Sequence, residues 1–290
     1  MSEWGVIGDG QWGLALARRL VRNGHGVSMA GLERMKRAPK GVRHTMELKD
    51  VLDRTERLII TVPISVFEDM LVDAGPHLRG DHRAVTTSRG LTPVSHLRGT
   101  EAVRRRTAIR QLAVLAGAAD ATALKKAAPV ALVVGTAFPS WSTEIQQALT
   151  SKSLRIYTNP DLIGVELANV VATVVGVALG IARAMAIGPA AEATALTRAL
   201  AEMDRVITGL GGQAGTAYGL AGLGVLGEML FDGTGAAMRA GKALAEGDRA
   251  EALIFQEVYD STQTLASRVE SQHIRAPLVN AVRQLFDGKM

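Results

Sequence analysis

Short apolar runs alternate with amphipathic stretches through the first half of the chain. Trp4–Ile7, Val27–Ala30, Leu58–Val62, Ala84–Thr87, Leu112–Ala116 and Val130–Val134 are four or five residues each and read as buried strands. Gly13–Asn23 spaces its apolar residues at helical intervals and stops at Gly24, so it reads as a helix. Strands alternating with helices predict βαβ crossovers and a parallel, doubly wound sheet.

The pattern changes after about residue 155. Leu162–Ala186, Ala190–Leu210, Gly235–Ala245 and Arg249–Gln272 all carry helical periodicity rich in alanine, leucine and valine. Gly211-Gly212 and Gly219–Gly227 read as glycine-rich loops between them. These patterns predict two domains: an α/β domain over 1–153 and an all-helical one over 154–290.

Composition narrows the function classes. Of 290 residues, 47% are hydrophobic, enough for a sizeable core. The formal charge is only +5, which favours an anionic small ligand over nucleic acid. The chain has no cysteine, so disulfides and thiolate–metal sites are excluded, and its six histidines show no metal-ligand spacing. Surface or loop positions are expected for these histidines, and a solvated loop for Arg104-Arg105-Arg106. The charge-free stretch Leu167–Ala182 is shorter than the roughly 20 apolar residues a bilayer requires. It reads as a buried core helix. With no secretion signal in Met1–Gly10, the expectation is a cytoplasmic protein without a membrane or nucleic-acid partner.

The most informative motif is Gly8-Asp9-Gly10-Gln11-Trp12-Gly13, a G-x-G-x-x-G run between the first strand and the first helix. Its first glycine makes the tight turn. The second lets main chain approach a pyrophosphate, and the third lets helix and strand pack closely. The helix opening here would aim its N-terminal amides at the phosphates. The reading is a Rossmann-type site for NAD or NADP. Asp9 is out of character, because a carboxylate near a pyrophosphate is repulsive. Glu33 is the nearest candidate for an acid on the cofactor ribose. Arg34, Lys36 and Arg37 follow it and suit either a 2′-phosphate or a solvated basic loop.

Several segments together resemble the bacterial NAD(P)-dependent glycerol-3-phosphate dehydrogenases. They are the turn ending in Trp12-Gly13, Val62-Pro63-Ile64-Ser65-Val66-Phe67, Thr87-Ser88-Arg89-Gly90-Leu91, and Tyr157–Asp161 with Ile163–Glu166. Leu196–Met203 and Ala221-Gly222-Leu223-Gly224 complete the set, in the family's order and over almost the whole chain. The resemblance implies a Rossmann-type sheet followed by an all-helical domain of the 6-phosphogluconate-dehydrogenase C-terminal type. It further implies a small-molecule substrate, with anions among the candidates, between the domains and a homodimer. It adds Pro63 and Ala121 to Gly8, Gly10, Gln11, Trp12, Gly13 and Glu33 as cofactor residues.

The chemistry departs from the resemblance. The family takes the hydroxyl proton with a lysine on the first long helix of the second domain. Counting eight residues on from Gly164, or 25 back from Thr197, lands on Ala172. Arg89 stands at the other lysine position, and arginine cannot serve as a base near neutral pH because its pKa exceeds about 12. Val225 replaces an aspartate, and Ala236-Ala237 replace the phosphate-holding arginine–asparagine pair. The polar residues left for a cleft are Arg89, Arg198, Glu257 and the stripe Glu166, Asn169 and Thr173, at i, i+3 and i+7. That stripe suits either a cleft wall or an internal hydrogen-bond network. Arg198 suits a cleft or an i, i+4 pair with Glu202. The functional alternatives are an oxidoreductase with a changed substrate or proton route and a non-catalytic dinucleotide sensor.

Overall fold

A computed structural model describes residues 2–31 and 38–289. The chain divides into two compact units, 1–88 with 99–162, and 89–98 with 163–290. The boundary falls later than residue 153, because a further strand after that point belongs to the first sheet. The segment 89–98 leaves the first unit to join the second.

In the first unit the strands are β1 (Glu3–Ile7), β2 (Gly26–Ala30), β3 (Val42–Thr45), β4 (Arg57–Ile60), β5 (Arg83–Thr86), β6 (Gln111–Ala116), β7 (Val130–Gly135) and β8 (Leu154–Asn159). They form one sheet in the order β3-β2-β1-β4-β5-β6-β7-β8. The first six follow the doubly wound order, which reverses direction between β1 and β4. The expectation of a wholly parallel sheet is corrected at one pair. β7 runs antiparallel to β6, with Val114 opposite Gly135 and Ala116 opposite Val133. The link between them holds only the short helix Ala121–Lys125, too little for a full crossover.

The helices α1 (Gln11–Arg22), α2 (Leu48–Arg54), α3 (Phe67–Ala74), α4 (Gly99–Arg106), α5 (Ala121–Lys125) and α6 (Pro139–Leu149) belong to this unit. On α1, Gly13, Ala15, Leu16, Ala17 and Leu20 are buried. Each leucine there contributes about 1.5–3 kcal/mol of apolar burial. Trp4 on β1 and Trp141 on α6 are fully buried and stack at 5.6 Å. The guanidinium of Arg83 covers Trp141 at 4.9 Å. Arg104, Arg105 and Arg106 form the exposed last turn of α4 rather than a loop, with Arg105 paired to Glu101 and Arg106 to Glu68. Cations there complement the helix dipole.

In the second unit α7 (Leu162–Ala184) is followed by α8 (Pro189–Gly209), α9 (Val225–Asp232), α10 (Ala236–Ala245), α11 (Arg249–Ile254), α12 (Gln256–Ser271) and α13 (Pro277–Phe286). By length and composition α7 could cross a membrane, yet 83% of its most apolar window is buried within the protein. It is the core helix. Small residues let α10 lie close against it: a Cβ on Gly180 would sit 2.4 Å from Met238 O, and one on Gly241 would sit 2.1 Å from Val177 O. The expected single helix over Arg249–Gln272 is two helices, α11 and α12, that meet at Phe255. The expected loop Gly219–Gly227 is helical, with a π-helical turn at Leu220–Gly224 running into α9.

Candidate functional site

The turn after β1 lies where the sheet order reverses. Gly8 has φ +107°, a conformation that favours glycine, and its amide donates to Ala30 O. Thr61, following β4, donates its hydroxyl to Ile7 O and Gly8 O at 3.1 and 3.0 Å. These bonds fix the turn between β1 and β4. A Cβ on Gly13 would lie 2.2 Å from Gly8 O, so only glycine lets α1 begin so close to the strand.

Gly10 is different. A Cβ built on it meets nothing within 4 Å, and Gly10 caps α1 with no side-chain hydrogen bond. The first turn of α1 holds no acidic side chain. Amides at an uncapped helix N-terminus facing open space suit a diphosphate. The residues present therefore fit a dinucleotide. Gln11 is exposed on the first turn, while Trp12 is half-buried and packs on the core beneath. Pro63 is exposed and caps the short 3-10 turn Ile64–Val66. Ala121 opens α5 and packs against the same core cluster as Trp12, where its methyl offers packing only. Glu33, Arg34, Lys36 and Arg37 lie outside the described residues.

Asp9 does not face the open space over Gly10. Its carboxylate lies against Gly31, the residue after β2: a Cβ there would be 2.0 Å from Asp9 Oδ2. Asp9 Oδ2 is also 3.4 Å from Nε2 of His44 on β3. The like-charge objection to Asp9 is met by this placement. His82 departs from the expected surface role: it is fully buried, accepts from Arg79 N at 2.8 Å and lies 3.0 Å from Leu52 O.

In the second unit the stripe on α7 is interior. Glu166, Asn169 and Thr173 are all buried. Glu166 Oε2 pairs with Arg98 at 2.8 Å, and Thr173 donates to Asn169 O at 3.3 Å. These two residues serve an internal network. Asn169 Oδ1 is the exception, buried without a hydrogen-bond partner. Sequence reasoning missed Arg98, a charged residue in an apparent loop with no periodicity to flag it. The segment 89–98 closes on itself through the bridge Leu91–Arg98 and the bond from Thr92 N to Leu97 O. Arg268 on α12 donates to His96 O at 3.4 Å.

Arg89, at the root of that segment, is solvent-accessible. The nearby Glu228 carboxylate offers it an opposite charge. Ala172 is fully buried on α7 and Val225 fully buried at the start of α9. Ala237 is buried and Ala236 exposed. The only lysines in this unit's sequence are Lys242 and Lys289; both are exposed and pair with Glu246 and Asp287. Arg198 is exposed on α8, and Glu257 is exposed on the first turn of α12. The expected Arg198–Glu202 pair is corrected. Glu202 is buried and accepts from Leu278 N and Val279 N at 3.0 and 2.9 Å, holding the start of α13. Among the described residues no cluster of potential metal ligands exists.

Comparison of the sequence with known proteins points to one family. The family models described as NAD-dependent glycerol-3-phosphate dehydrogenase N-terminus and C-terminus match residues 31–142 and 161–290. A glycerol-3-phosphate dehydrogenase (NAD(P)+) of Glaesserella parasuis serovar 5 is 31% identical, over 98% of this chain and 92% of its own length. That of Sodalis glossinidius is 33% identical over 97% and 90%. The crystal structure of the Coxiella burnetii glycerol-3-phosphate dehydrogenase superposes with a TM-score of 0.91 at 26% identity, covering 100% of this chain and 95% of that one.

Proposed function

The chain belongs to the NAD-dependent glycerol-3-phosphate dehydrogenase family, and from that membership we propose that it is an NAD(P)-binding oxidoreductase whose substrate or proton route has changed. The cofactor, when bound, would supply hydride transfer at its nicotinamide. Gly8, Gly10 and Gly13 keep the main chain open to the diphosphate, and the α1 amides would hold it. The second unit would bind the other reactant without an amine. One observation carries this reading: α7 presents buried Ala172 where the family resemblance implies a lysine, and both lysines of this unit are surface residues in ion pairs.

Arg89 retains a fixed positive charge and a planar donor fork, so it would orient an anionic or carbonyl group rather than take a proton from it. The loss of the arginine–asparagine pair at Ala236-Ala237 favours a substrate without the glycerol phosphate grip. A non-catalytic sensor is the second reading, favoured because the remaining α7 carboxylate, Glu166, is tied up by Arg98.

Titration with NADH and NADPH, followed by protein and nucleotide fluorescence, tests the first half of the proposal. Tight binding of either is expected. Dihydroxyacetone phosphate is then added with the bound cofactor. Turnover at a normal enzymatic rate of about 1–1,000 per second would sink the proposal of a lost lysine route. Oxidation of cofactor by other carbonyl compounds would support the oxidoreductase, and binding without any turnover the sensor.

A further inference from the structure

We propose that Asp9 and His44 together form the receptor for the vicinal diol of the adenosine ribose, and that Asp9 thereby makes the site select NAD over NADP. The inference rests on the cofactor reading above and names what sets its specificity.

The placement of Asp9 is the first observation. The residue belongs to the phosphate turn, but its carboxylate crosses the end of β2 to reach β3. Gly31 makes that path possible. A Cβ on Gly31 would lie 2.0 Å from Asp9 Oδ2, 2.3 Å from Asp9 Cγ and 2.7 Å from His44 Nε2. A carboxylate at the end of the second strand is where an adenosine ribose is gripped in doubly wound sheets. Here that carboxylate comes from the turn after β1, and the strand itself ends in glycine. The diphosphate position over Gly10 stays clear, with no atom within 4 Å of a Cβ built there.

The second observation is the imidazole. His44 has only 6% of its side chain exposed. Its Nε2 is buried and has no hydrogen-bond partner, since Asp9 Oδ2 at 3.4 Å is within ion-pair range only. Burying such a nitrogen without a partner costs about 1–3 kcal/mol. The Asp9 carboxylate is partly exposed, at 23%. An acceptor carboxylate beside an unsatisfied imidazole nitrogen is complementary to two adjacent hydroxyls: one donates to Asp9 and the other bonds to Nε2. A 2′-phosphate at the same place would bring a second negative charge against Asp9 and would have no hydroxyl to donate.

The measurement is equilibrium binding of NADH and NADPH to the whole chain by fluorescence, with AMP, 2′-deoxy-AMP and nicotinamide mononucleotide as competitors. NADH is expected to bind at least about tenfold tighter than NADPH, from one charge-assisted hydrogen bond and the repulsion it replaces. Asp9→Asn should erase that preference, chiefly by tightening NADPH. Gly31→Ala, which keeps the charge but displaces the carboxylate, should weaken NADH while leaving the thermal midpoint near wild type. AMP should compete better than 2′-deoxy-AMP, which places the diol on the adenosine side. Equal affinity for the two cofactors, or an unchanged ratio in Asp9→Asn, overturns the inference and leaves the cofactor reading intact. Tighter NADPH than NADH does the same and moves discrimination to Arg34, Lys36 and Arg37. Failure of both cofactors to bind removes the inference and the cofactor reading together.

Discussion

The two units carry their chemistry on different parts of the chain. In the turn Gly8–Gly13 the groups offered to a diphosphate are main-chain amides, and side chains other than Asp9 matter there by staying out of the way. Gly13 admits no Cβ because Gly8 O would be 2.2 Å from it. In the helical unit every group available for chemistry is a side chain, so one substitution deletes a function without disturbing the helix. Ala172 illustrates this: α7 runs through it unbroken from Leu162 to Ala184, with alanine at the position where the family resemblance implies a lysine. A backbone-borne site survives as long as a few glycines do, whereas a side-chain-borne site is lost one residue at a time with little penalty in stability. On the proposed function, this asymmetry explains how a chain can keep a family's fold and cofactor turn while its proton route changes.

The sharpest challenge to that contrast is a side chain of the helical unit on which folding does depend. Glu166→Ala breaks the 2.8 Å pair between Glu166, 2% exposed, and Arg98, 15% exposed. A loss of ~3–5 kcal/mol is expected, the usual cost of removing one member of a buried ion pair. Urea unfolding of the purified variant measures it. A change below about 1 kcal/mol, the value of an exposed pair, would mean that the pair is ornamental.

Next in size is Gly10→Ala, the main-chain counterpart. A methyl there meets nothing in the protein, so the unfolding midpoint should not move. The methyl would occupy the space where a diphosphate approaches. NADH affinity should fall by about ten- to a hundredfold, the value of one or two charge-assisted amide bonds. If binding is unchanged while stability drops, the turn is structural and the backbone-borne half of the comparison fails.

These contrasts were unevenly legible in the sequence. The backbone of the turn was readable, because glycine spacing after an apolar strand encodes a backbone geometry directly, whereas the path of the Asp9 side chain to Gly31 and His44 was not. The sheet core was readable for the same kind of reason: β1, β2 and β4 to β7 are continuous apolar runs buried on both faces. β3 and β8 were not. Val42–Thr45 has one buried residue, Val42, and Leu154–Asn159 alternates buried Leu154 and Ile156 with exposed Arg155 and Tyr157. Their pattern belongs to half-covered strands towards the sheet edges, which apolar-run reasoning passes over. The break between α11 and α12 at Phe255 carries neither glycine nor proline. The partners of Glu166 and Glu202 lie 68 and 76 residues away, and no local spacing encodes such pairings.

A smaller effect separates structural from functional polarity on α7. Asn169→Leu removes the buried acceptor Oδ1 that has no partner. Replacing an unsatisfied polar atom by an apolar group of similar size should be neutral or stabilising, by up to about 1 kcal/mol. If Asn169 waits for a ligand, the same variant loses turnover or ligand affinity while gaining stability. Calorimetry and the carbonyl screen on one preparation read both. A clear loss of stability would instead mean that the amide serves the internal network, and the helical unit would then hold no unspent polar group on this helix.

The smallest expected effect lies in the first unit and is read through pH. His25 precedes β2, with Nδ1 3.0 Å from Ser2 Oγ. Desolvation pushes its pKa below the ordinary histidine value, positive charge that includes Arg57 pushes the same way, and Glu144 opposes them. The folded protein therefore binds this proton less readily than the unfolded chain, whose histidine titrates near about 6.5. The contribution of His25 to stability is fully present above that pH and is lost as the pH falls through the folded-state value. Urea midpoints should hold steady above neutrality and decline on acidification, and His25→Gln, which keeps a donor and an acceptor near Ser2, should flatten the decline. Coincident pH profiles for wild type and His25→Gln would assign the acid sensitivity to carboxylates instead. A flattening confined to that variant would show that the backbone-borne site rests on a unit with a titratable support of its own.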